Sequence, residues 1–107
     1  MQPTEEIRKQ ILAFQQTEIT EYHIYSRLAK RINSPENEKL LEKISQDELR
    51  HYNEWKGHSG KDVQPQWLKV WWYYFVSRVF GYTFGVKLME RGEEKAQKNY
   101  ASIAAII

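Results

Sequence analysis

The chain has no cysteine. Disulfides, iron–sulfur clusters and thiolate zinc sites are therefore excluded, and a reducing compartment is expected. Any metal must be held by carboxylates and imidazole, which favours iron, manganese or zinc over a thiophilic ion. Glycine and proline are scarce, five and three among 107 residues. They gather in "NSP" at 33–35 and "GHSGKDVQP" at 57–65, and no period-2 run separates them, so a strand-and-turn architecture is excluded. Neither sign of charge dominates. Sixteen basic residues stand against fourteen acidic ones, interspersed, for a net charge of +2. No nucleic-acid arm or acidic tail is present, and no nucleic-acid partner is expected. The opening "MQPTEEIRKQ" lacks the apolar run of a signal peptide, which points to the cytoplasm.

What remains is helical periodicity in one domain, residues 1–107. The first helix is predicted after Thr4, an N-cap followed by Glu5 and Glu6, and runs to about Ile32. Steps of four and three give the seam Ile7, Ile11, Phe14, Glu18, Glu21, Tyr25, Leu28, Ile32. The second helix starts with Ser34 as cap and Pro35 at the first helical position, and ends with Gly57 as its stop. Its seam reads Asn37, Leu41, Ile44, Glu48, His51, Trp55. A third periodic region starts near Gln66 and reaches the end. Its second half aligns with the first helix, Glu93 on Glu18 and Tyr100 on Tyr25, as a diverged internal repeat.

Polar residues thus interrupt each seam at its middle. In "DELRH", 47–51, Glu48 and His51 form Glu-x-x-His. With twelve glutamates and three histidines the spacing alone carries little weight. Its place on the seam carries more. Buried carboxylates beside each other repel in a low dielectric unless paired or bound to a cation. Glu18, Glu48, His51 and Glu93 are therefore candidate metal ligands, with Glu21 and Glu90 as auxiliary ones. The competing reading is a core histidine hydrogen-bonded to glutamate, with the other acids solvated. His23 and His58 are expected at the surface, and Tyr25 and Tyr100 in packing.

These residues resemble the ferritin-like di-iron carboxylate proteins of the rubrerythrin type. There, two bundle helices each give a Glu and two others a Glu-x-x-His. Glu18, the Glu48/His51 pair and Glu93 match three of these positions, and Tyr25 matches an aromatic position of rubrerythrins. The chain, including "EITEYHIYSRL" and "GEEKAQKNY", most resembles the rubrerythrin-like domain fused to membrane domains of the vacuolar-iron-transporter type. The resemblance implies an all-α, antiparallel, ferritin-like bundle with a di-iron centre, manganese or zinc being substitutes. It implies oxidation of Fe(II) by oxygen or peroxide, or delivery of iron to a fused or associated membrane transporter at its cytoplasmic face. One departure stands out: there is no second Glu-x-x-His. The apolar end "ASIAAII" predicts truncation before a fourth helix, or completion of the bundle by another chain as a homodimer or larger oligomer. The alternative function is a non-catalytic metal sensor or dimerisation domain regulating a membrane partner.

"WLKVWWYYFVSRVFGYTFGVKLM", 67–89, is long and aromatic, but Lys69, Arg78 and Lys87 argue against a membrane span. Its apolar residues cover more than one face. They predict a protein interface first, with a membrane-surface contact or plain core as the other readings.

Overall fold

A computed structural model describes residues 4–81 and Lys87. Three helices follow in order: α1 (Glu5–Arg31), α2 (Pro35–Ser59) and α3 (Trp67–Phe80). Among the described residues there is no strand. The chain is all-α, as expected. The second half of the third periodic region lies outside the described residues, and with it Glu90, Glu93, Tyr100 and the internal repeat.

The two long helices begin where their caps dictate. Thr4 Oγ1 accepts from the Ile7 amide at 3.3 Å, and Ser34 Oγ from the Asn37 amide at 3.4 Å. Each satisfies one of the orphan N–H groups of a helix start. Acids in both first turns and bases in both last turns complement the helix dipoles. The second helix passes the expected stop. Gly57 stays helical, and Gly60, at φ 71°, forms the left-handed cap with its amide on the Lys56 carbonyl at 2.8 Å. A left-handed φ is what favours glycine there.

α1 and α2 pack antiparallel. Phe14 meets Trp55 with ring centroids 5.2 Å apart, and Glu18 faces His51. α1 also packs on α3. The apolar core lies at one end of this arrangement, built from Ile24, Tyr25, Leu28, Ala29, Leu41 and Val70. The buried face of α1 is narrow near Ile11 and broad after Thr20, because there it touches two helices.

On α2 the expected seam is displaced. Leu41 and Glu48 are buried as expected, but Ser45, Tyr52 and Ser59 share their face, whereas Asn37 is exposed and Ile44, His51 and Trp55 are half-buried. A straight helix turns about 100° per residue and drifts from a strict heptad. The buried stripe therefore centres on 41, 48, 52 and 59, and His51 falls on its flank.

The connection from α2 to α3 is tied down by side chains of the two long helices. Gln15 Nε2 donates to the Lys61 carbonyl at 2.8 Å, and Gln15 Oε1 accepts the Ser59 hydroxyl. Thr20 Oγ1 accepts the Gln66 amide at 2.9 Å, fixing the first residue before α3. Tyr52 Oη accepts the Val63 amide at 2.9 Å and donates to Asp62 at 3.2 Å. Asp62 also pairs with Lys56 at 2.6 Å, and this hydrogen bond lowers its carboxyl pKa.

His23 is half-buried, not at the surface as expected, because Trp67 of α3 packs against it, tilted, with ring centroids 4.7 Å apart. Arg27 donates to its Nδ1 at 3.2 Å, so the ring proton sits on Nε2. Burial first, and then the Arg27 charge, lower its pKa from 6.5.

Two outcomes are expected. Tyr52→Phe leaves the Val63 amide without its acceptor and should cost about 1 kcal/mol in urea unfolding. His23 protonates less readily folded than unfolded, so stability should fall as pH drops from about 6.5 through its folded pKa. His23→Gln should flatten that slope, and an unchanged slope would contradict the assignment.

Candidate metal site

Glu18 comes from the middle of α1 and Glu48 and His51 from the middle of α2. The antiparallel pairing of the helices brings the three together. One donor atom from each lies within 4.8 Å of the other two. Glu18 is 1% exposed and Glu48 6%. His51 is half-buried, and its Nδ1 is 3.7 Å from Glu18 Oε2 and 3.7 Å from Glu48 Oε1.

These separations have chemical meaning. They exceed the range of a good N–H···O hydrogen bond. Donors bound at about 2.0–2.2 Å to one ion lie roughly 3.0–3.5 Å apart in octahedral or tetrahedral arrangement. The His51 Nδ1–carboxylate distances of 3.7 Å are close to that range and the whole group lies within 4.8 Å, so a shared cation would draw the three donors together. The donor set, two carboxylates and one imidazole, suits iron, manganese or zinc. Removing two carboxylates from water costs several kcal/mol each unless opposite charge repays it. A divalent cation would do so.

Lys43 and Arg50 of α2 are engaged away from the site. Lys43 and Arg50 pair with Asp47 and Arg50 also with Glu54, all on the outer face. The displacement of the α2 stripe leaves His51 on the flank of the buried pair, half-buried and the most exposed of the three.

Glu21 is 8% exposed and sits one turn after Glu18, outside the three-residue group. Tyr25, fully buried, belongs to the apolar core. Glu90 and Glu93 lie outside the described residues. His58 is exposed, as expected. The sequence reading missed the polar side chains that hold the neighbouring loop, Gln15, Thr20 and Tyr52. Their partners are backbone groups of that loop, which leave no trace in side-chain periodicity.

No family model, no curated protein and no solved structure matches this chain, so the buried carboxylate–imidazole group carries the functional reading by itself.

Proposed function

We propose that the chain is a metal-binding helical domain of the ferritin-like, di-iron type, using Glu18, Glu48 and His51 as its first ligands. One observation carries this reading: two buried carboxylates and an imidazole with donors within 4.8 Å of one another. Glu93 is the further carboxylate expected from its Glu-x6-Tyr spacing, which repeats that of Glu18 and Tyr25. Glu21 and Glu90 serve as auxiliary groups. A second copy of the chain, or further sequence, would supply the second Glu-x-x-His that the 107 residues lack.

When bound, iron in such a site supplies one-electron chemistry toward oxygen or peroxide. The chain's own part is to hold and exclude. Glu18 and Glu48 offer charge in a dry seam, His51 guards the solvent side, and the Tyr25–Leu28–Leu41 core closes one end. Ferroxidase or peroxidase-like turnover, feeding of a membrane iron transporter, and metal sensing all use this same site. Fe(II) oxidation under oxygen separates the first of these from sensing.

Metal bound to the folded state alone stabilises it by linkage. At a concentration of about 100 Kd, Fe(II), Mn(II) or Zn(II) should raise the melting temperature by about 10 °C. Glu48→Gln and His51→Ala should remove most of that increment, while Glu54→Gln, on the exposed face of α2, should keep it. Equal melting with and without all three metals would count against the site. Glu93→Ala should lower metal affinity, whereas Glu94→Ala, about 100° around a helix from it, should behave as wild type in the same titration.

A further inference from the structure

α3 carries its aromatic residues on two faces. Val70 and Ser77 are buried, and Tyr73 and Tyr74 pack partly against the core. Leu68, Trp71, Trp72, Phe75 and Val79 point away, each more than half exposed and Leu68 90% so. Their spacing of three and four residues puts them on one stripe, about 16 Å long at 1.5 Å per residue.

Among the described residues the charge beside this stripe is positive. Residues 63–89 contain no Asp or Glu. Beside the stripe, a pocket of about 360 Å³ is walled by Trp71 and Tyr74 and lined by four cations, Arg27, Lys30, Arg31 and Arg78. Among the described residues none of the four pairs with a carboxylate. Arg27 is held over the Trp67 and Trp71 rings at 5.4 and 5.1 Å. On the opposite flank Lys69 lies over Tyr73 at 5.9 Å.

We propose that the outer face of α3, with the cationic pocket between α1 and α3, docks on an anionic phospholipid surface. Exposed tryptophans settle at the level of the headgroups, where one end of the ring is apolar and the other wet. Lysine and arginine at the rim reach the phosphates while their stems cover apolar area. The helix lies on the surface and does not cross it. Among the described residues no helix is long and apolar enough for a span. A second copy of the same face is a poorer occupant, because a two-fold contact would set these cations against themselves with no acid in the run to pair them. This inference goes beyond the metal reading and does not rest on it.

The test is co-sedimentation of the 107-residue chain, in chelator, with vesicles of phosphatidylglycerol and phosphatidylcholine in about equal parts, and with phosphatidylcholine alone. Binding to the mixed vesicles, a blue shift of tryptophan emission, and weakening by salt are expected. Each cation near the surface strengthens binding about 5-fold, so Lys30→Gln with Arg31→Gln should weaken it about 30-fold. Phe75→Ser, at an exposed position, should weaken it with the helical circular dichroism unchanged. Glu48→Gln should bind vesicles as wild type does. Equal binding to both vesicle types, or to neither, overturns the proposal. So does a lipid-free dimer that Phe75→Ser dissociates and whose tryptophan emission vesicles leave unchanged, since a second copy then covers the stripe.

Discussion

Two carboxylates occupy the middle of the seam where α1 meets α2, a place that helix packing normally fills with aliphatic side chains. Glu18 is almost wholly buried, Glu48 nearly so, and His51 stands 3.7 Å from each. Like charges in a low dielectric repel, so burying both acids is costly unless they are neutralised, paired or bound to a cation. The remaining packing is arranged around that constraint. The main apolar cluster lies to one side, at Ile24, Leu28, Ala29, Leu41 and Val70, with Ile11 buried on the other side of the polar group.

At the other end, where Ile11 is buried and Phe14 meets Trp55, side-chain hydrogen bonds hold the loop as well. Gln15 and Ser59 close on each other and on the Lys61 carbonyl, and Thr20 and Tyr52 take the Gln66 and Val63 amides. Each bond contributes only about 1 kcal/mol net, but a buried amide left unpaired costs more. These bonds therefore define the path of the loop more than they add to total stability. The path matters because it delivers Trp67 against His23 and lays α3 along α1.

The chain thus inverts the usual arrangement twice. Charge is buried in the α1–α2 seam, and large apolar side chains are exposed along α3. The acids share a dry seam, and the apolar stripe is rimmed by cations that pair with no carboxylate among the described residues. A contiguous exposed patch of this kind is uncommon on a free-standing surface. α1 borders both: it gives Glu18 to the buried acids and Arg27, Lys30 and Arg31 to the cationic pocket beside the α3 stripe.

Helix starts, helix type and the central acids were legible from local rules. Thr4, Ser34 and Pro35 mark their helices chemically, and a seam interrupted by Glu18 and Glu48 is visible in any periodic reading. Finer placement was not legible. Gly57 and Gly60 are equally good stops as residues, and only the left-handed turn at Gly60 decides between them. Whether His51 or Tyr52 centres the buried stripe depends on a rotation of α2 of about 100°, which a heptad pattern cannot resolve. The side chain–backbone bonds of the loop link residues more than forty positions apart, or join a helix to irregular backbone, and carry no periodic signal. By itself the sequence determined an all-helical chain with acids placed for burial. Only the tertiary structure decided that Glu18, Glu48 and His51 meet, and that the aromatic stripe of α3 faces outward, because both depend on how helices rotate against one another.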